Sequence, residues 1–169
     1  MAETLVQMIT EALGGHVGKE IICFIISLFP ILELRGGLLA ASPAFLDVPL
    51  MTALPLCILG NLLPIPFVLL FIEKILQWME GLAPTRKAAL WLRAKAEKNR
   101  EKVQKYEFWG LVLFVGIPLP GTGAWTGSLV AALLHMPLKR SFFACVLGVI
   151  LAACIMTIVS YGILGNLFG

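Results

Sequence analysis

Two ionisable side chains, Glu33 and Arg35, stand inside apolar sequence and away from its edges. An ionisable group at membrane depth is costly and marks a functional position by default. A carboxylate held out of water is suited to proton exchange. A guanidinium offers a rigid fork of donors that matches phosphate or carboxylate. At positions i and i+2 the two groups point to different faces of a helix and neutralise each other poorly. At a glycine-rich reversal, which Gly36-Gly37 favours, both can face one cavity. The structural alternative is that Arg35 ties to Glu33 or to backbone carbonyls and only holds the reversal in shape.

The second unusual stretch is Pro118-Leu119-Pro120-Gly121-Thr122-Gly123-Ala124-Trp125-Thr126-Gly127. Its prolines and glycines cannot continue a helix. Freed backbone groups and the Thr122 and Thr126 hydroxyls can contact a ligand head group, with Gly121, Gly123 and Trp125 beside them. Alternatively, this is a dry hairpin whose glycines let helices approach closely. A helix restarting after each break brings partial positive charge at its N-terminus. Arg35, Gly36 and the 118–126 stretch are therefore expected to build an anion site, with Glu33 as its proton-exchanging group.

Other polar residues carry less. Asn61, flanked by Pro64 and Pro66, is expected to bond a carbonyl freed by the kink before it contacts ligand. His135, beside Pro137 and Lys139, reads as a structural interfacial histidine. Trp78, Trp91 and Trp109 read as interfacial anchors. Cys23, Cys57, Cys145 and Cys154 lie in apolar runs without C-x-x-C spacing and read as small hydrophobes. There is no nucleophile–base pair, no metal-ligand spacing and no P-loop. No enzyme, metal or cofactor is expected.

The elements that must position these groups follow from composition. Hydrophobic residues make up 59% of the 169-residue chain and charged residues 14%. That charge content is well below the ~25% of soluble domains. Fourteen charges fall between Glu73 and Glu107, whereas 48–72, 108–138 and 141–169 have none. Charge-free apolar runs of about 18 residues or more read as membrane-spanning. A soluble enzyme, a nucleic-acid binder and a disordered chain are excluded. Residues 81–107 carry eight basic and three acidic groups. Next to membrane segments this block reads as a cytoplasmic linker helix, with Thr85 as its N-cap.

The expected order is an interfacial amphipathic helix over 1–18, a broken apolar segment over 21–46 and a span over 49–72. The linker comes next, then a second broken segment over 108–136 and a span over 141–168. Each leg of a broken segment, about 11 residues or ~16 Å of helix, crosses roughly half of a ~30 Å hydrocarbon core. If both broken segments turn back, the linker and Lys139-Arg140 share one side, putting ten of thirteen basic residues there. Pro49-Leu50, Cys57 and Leu59-Gly60 recur 88 positions later as Pro137-Leu138, Cys145 and Leu147-Gly148. Gly36–Ala41 resembles Gly127–Ala132 at an offset of 91. The fold class is therefore an all-α integral membrane protein in one membrane domain. It has two inverted repeats (19–80 and 108–169), each a re-entrant hairpin plus a transmembrane helix. Non-helical backbone at membrane depth must be buried in protein or line a wet cavity, so the two breaks should face each other.

Pro30-Ile31-Leu32-Glu33-Leu34-Arg35-Gly36-Gly37 together with Gly116-Ile117-Pro118-Leu119-Pro120-Gly121-Thr122-Gly123-Ala124-Trp125-Thr126-Gly127 resembles the "putative small multidrug export protein" family of bacteria and archaea. The likeness extends over nearly the whole chain. More distantly, the arrangement is similar to the DedA superfamily. That resemblance implies inverted re-entrant hairpins, transport of polyprenyl-phosphate carriers or phospholipids, some proton coupling, and acidic and arginine residues at the hairpins. Glu33 and Arg35 match this in the first hairpin, whereas 108–136 contains no formal charge. The leading expectation is a multi-pass inner-membrane transporter moving an anionic lipid carrier, with possible proton coupling. The alternatives are a proton-coupled small-molecule exporter and a non-transporting membrane scaffold. Expected partners are membrane lipids, an anionic lipid or small-molecule substrate, protons and a second copy in a homodimer, with no nucleic acid.

Overall fold

Prolines and glycines cut the apolar sequence into helices of two lengths. A computed structural model describes residues 18–82, 84–104, 107–119 and 121–163. The expected amphipathic helix over 1–18 falls almost wholly outside them. Four short apolar helices form two pairs: α1 (Lys19–Leu28) with α2 (Glu33–Ala41), and α6 (Glu107–Gly116) with α7 (Ala124–Leu133). Each pair is followed by a long helix whose N-cap is a proline in extended geometry, Pro49 or Pro137. Proline fixes φ and has no N–H to leave unpaired, so it suits the start of a helix.

The first long helix consists of α3 (Leu50–Leu62) and α4 (Pro64–Gly81). Together they form one 32-residue apolar helix, Leu50–Gly81, because Leu63 between them keeps helical dihedrals. The prolines at 64 and 66 therefore do not break the span, and the helix runs nine residues beyond the expected end at 72. The second is α8 (Leu138–Thr157), extended by a π-helical turn over Ile158–Ile163. Both are long and apolar enough to cross a membrane. Basic helix α5 (Arg86–Gln104) packs against α4, α6 and α7. Thr85 sits at its N-cap position, where its carbonyl accepts from Ala89 N–H at 3.1 Å. Its hydroxyl instead reaches back to the carbonyl of Met79, 2.9 Å away. Trp78, Trp91 and Trp109 are all exposed, as anchors in an interface must be.

The same close contacts occur twice. A Cβ on Gly60 of α3 would lie 2.6 Å from the Phe24 carbonyl and 3.1 Å from Ser27 Cβ. A Cβ on Gly148 of α8 would lie 2.9 Å from the Val112 carbonyl and 2.6 Å from Val115 Cβ. All three positions move together by 88. Absent side chains at these points let each long helix lie against the first leg of its own pair. The second legs keep a different register. Gly37 packs on Ser27 and Cys23, and Gly127 packs on Val115 and Leu111. Packing thus pairs Gly37 with Gly127 at an offset of 90, where sequence likeness suggested Gly36 with Gly127 at 91. Runs of small apolar residues look alike in several registers, and only the contacts choose one.

Candidate functional site

The break of the first pair is a tight reversal. Glu33 N–H donates to Phe29 O at 2.9 Å, and Gly36 N–H donates to Leu32 O at 2.8 Å. Glu33 takes a left-handed φ of 52°, which is uncommon for a residue with a side chain. The break of the second pair is longer and more open. Its residue 123 has a φ of 129°, which only glycine adopts readily, and it stands at the N-cap of α7. Its own side chain cannot cap the helix, so the cap must come from elsewhere.

Glu33 supplies it. One carboxylate oxygen accepts from Ala124 N–H at 3.0 Å and the other from Trp125 N–H at 3.1 Å. A Cβ at position 123 would run into that carboxylate. Only 4% of Glu33 is exposed, so these bonds form out of water, and an anion at a helix N-terminus is favoured by the helix dipole.

Arg35 makes the return connection. Its guanidinium donates to Leu119 O at 2.6 Å, to Ile117 O at 3.2 Å and to Thr122 Oγ1 at 3.0 Å. The Thr122 hydroxyl lies 2.8 and 2.9 Å from the same two carbonyls. These carbonyls follow the end of α6, where the helix has stopped and the backbone acceptors need partners. Trp125, 90 positions after Arg35, performs the same task in the other direction. Its indole N–H donates to Leu28 O, the last residue of α1, at 3.1 Å. Each second leg therefore reaches across to the carbonyl end of the opposite first leg.

A cavity of about 180 Å³ remains beside this junction, lined by Ile31, Glu33, Arg35, Gly121, Thr122 and Thr126 among others. The family whose model matches residues 33–155 of this chain is described as "putative small multi-drug export protein". The match begins at Glu33 itself, just after the first break, takes in the second and spans 123 of 169 residues. The chain belongs to this family. Neither the comparison with curated proteins nor that with solved structures returned a match. Family membership and the two long apolar helices together point to a membrane location.

Of the expected site residues, Glu33, Arg35, Gly121, Thr122, Gly123, Trp125 and Thr126 meet at the junction. Gly36 is buried, and a Cβ there would lie 2.6 Å from Leu32 Cβ, so it serves the turn. Pro118 separates the two carbonyls that Arg35 binds. Pro120 lies outside the described residues. Asn61 is not among the residues lining the cavity; it is buried in α3 at 2% exposure, and its Oδ1 has no hydrogen-bond partner among the described residues. The expected use of the α7 N-terminus needs revision, because its first amides are already held by Glu33. Two residues have partners that the sequence did not indicate. His135 Nε2 lies 3.0 Å from Glu73 Oε1, and Tyr161 Oη lies 2.8 Å from Val48 O. The positive φ that His135 shares with Asp47, 51° and 55° in chain order, gave no sequence signal beyond the proline two residues later.

Proposed function

We propose that this family member is a proton-coupled exporter of small molecules, built from two re-entrant hairpins related as inverted repeats. The observation that carries the reading is the Glu33 carboxylate, buried and shared between the two hairpins. Ionised, it accepts one N–H on each oxygen at the start of α7. Protonated, it loses the charge that the helix end favours and turns one oxygen into a donor facing donors. Proton uptake therefore loosens the junction, and proton release tightens it. A transporter needs such a two-state element, biased by what binds.

The re-entrant reading is supported by length. Legs of nine or ten residues rise about 15 Å, half of a ~30 Å hydrocarbon core. The repeat reading is supported by the contacts that recur at 88 and by the reciprocal reach of Arg35 and Trp125. With both hairpins turning back, the basic helix and Lys139-Arg140 share the cytoplasmic face of the inner membrane.

One observation favours a second reading, movement of an anionic lipid such as a polyprenyl phosphate. The cavity beside Arg35 has a wall in Ile31, which is 81% exposed and so offers acyl chains a lateral approach. Against it, the Arg35 fork and the α7 amides already hold oxygens of the protein. Proteoliposomes carrying a pH-sensitive dye separate the two. Under the exporter reading a cationic dye drives proton flux through the wild type, and Glu33→Gln abolishes it. Equal flux through both proteins refutes the proposal. Loss of polyprenyl-phosphate binding in Arg35→Ala, with dye-driven flux absent from the wild type, favours the lipid reading.

A further inference from the structure

The correspondence at 88 also relates two places remote from the hairpin junction. Asp47 and His135 both have left-handed φ and stand two positions before the proline that starts a long helix. The backbone closes alike at both, with Val48 N–H on Ala41 O at 2.9 Å and Met136 N–H on Ala131 O at 3.0 Å. The far end of each long helix reaches the loop after the other pair. On α4 the residue that arrives is Glu73; at the end of α8 it is Tyr161, 88 positions on.

The chemistry at the two places differs. The Tyr161 hydroxyl lies 2.8 Å from Val48 O and 3.2 Å from Ala41 O and so ties α8 to the loop after α2. The residue sits in a π-helical turn, a rare geometry frequent at functional sites. At the other place Glu73 meets the exposed His135 imidazole at 3.0 Å. This pair stands on a cavity of about 340 Å³, walled by Glu73, Arg93, Glu97, Val130, Leu134 and His135 among others. Arg93, paired with Glu80, and Glu97 belong to α5, so the cavity opens on the side of the basic helix. Its inner wall continues inward. Val130 is four residues from Thr126, which lines the cavity beside Glu33 and Arg35. Residues four apart share a helix face and are separated by about 6 Å of rise. One face of α7 thus runs from the larger cavity to the hairpin junction.

We propose that the cavity under α5 is the access vestibule of the hairpin junction and that Tyr161 is the gate closing its counterpart on the opposite face. The molecule stands open toward the α5 side and shut at Tyr161. Access changes sides when the two repeats exchange these arrangements, as inverted repeats do. What passes through the vestibule rests on the exporter reading; the sidedness rests only on the inverted-repeat topology proposed with it.

Thiol labelling with a membrane-impermeant maleimide, in vesicles of the full chain carrying Cys154→Ser, tests this. The remaining cysteines are buried. Leu134→Cys reports on the vestibule, Val48→Cys on the backbone behind Tyr161, and Lys87→Cys marks the α5 side. The expected result is that Leu134→Cys labels from the same face as Lys87→Cys, while Val48→Cys stays unlabelled. Adding Tyr161→Phe raises Val48→Cys labelling roughly five- to tenfold from the opposite face, the shift that loss of one ordinary hydrogen bond produces. Leu134→Cys labelling from the face opposite Lys87→Cys overturns the proposal. So does free labelling of Val48→Cys with Tyr161 intact, a comparison that holds even where Tyr161→Phe fails to fold. Labelling as expected without dye-driven proton flux removes the exporter reading and keeps the gate. Flux with Val48→Cys freely labelled removes the gate and keeps the exporter.

Discussion

Replacing Glu33 with glutamine isolates the tie between the hairpins, because the side chain keeps its shape and loses one acceptor and its charge. In the native junction the Ala124 and Trp125 amides each have their own oxygen, at 3.0 and 3.1 Å. Glutamine offers one oxygen and one NH₂, so one buried amide faces a donor. A hydrogen bond to a charged group contributes about 1.5–3 kcal/mol, and the charge at the helix end adds roughly 0.3–2 kcal/mol. The expected loss is on the order of 3 kcal/mol. For a chain of this length each kcal/mol moves the midpoint by about 2–4 °C, so Tm should fall by roughly 6–12 °C. Tryptophan fluorescence on heating in detergent reads the change directly, since Trp125 sits in the junction. A midpoint within about 1 °C of wild type would mean that the carboxylate does not hold α7, and the coupling argument would fail with it.

Two further outcomes follow from the packing. Gly123→Ala should destabilise by about 3 kcal/mol or more, since its Cβ meets the Glu33 carboxylate and its φ is 129°. In a Glu33→Ala background only the backbone strain remains, so a double-mutant cycle on thermal midpoints should show clear non-additivity; simple addition would place the two residues apart. Gly60→Ala and Gly148→Ala should each cost about 1–3 kcal/mol through overpacking against α1 and α6 respectively, and equal Tm values for both variants and wild type would refute the matched contacts.

Much of the architecture was legible because it depends on residue types in a row. Charge-free runs must be buried from water, and a dense cluster of prolines and glycines such as 116–123 cannot continue a helix. These facts placed the second break, both long helices and the basic helix, and singled out Glu33 and Arg35. The first break, expected at the glycine-rich Glu33–Gly37, falls instead at residues 29–32, and Gly36 and Gly37 lie inside α2, where their missing side chains serve close packing. Element ends were harder. Pro64 and Pro66 read as a kink in a span ending at 72, yet Leu63 keeps helical geometry and the span continues to Gly81. A proline removes its own donor and crowds the turn before it, and it forces no chain reversal.

The chemistry of the junction divides along the same line. The amino-acid order alone determined that a carboxylate and a guanidinium lie in apolar surroundings two residues apart, and that two helices restart after breaks. Their partners were settled only by the tertiary structure. Glu33 finds its donors 91 and 92 positions away, and Arg35 its acceptors at separations of 82, 84 and 87. A carboxylate accepts from any donor and a guanidinium donates to any oxygen, so residue type does not say whether a ligand or the protein itself fills those bonds. Only the crossing of the two reversals, set by which helices lie against which, brings the protein's own groups within 3.2 Å. Tyr161 and His135 follow the same rule: their roles arise from contacts between opposite repeats, and no local pattern encodes such a contact.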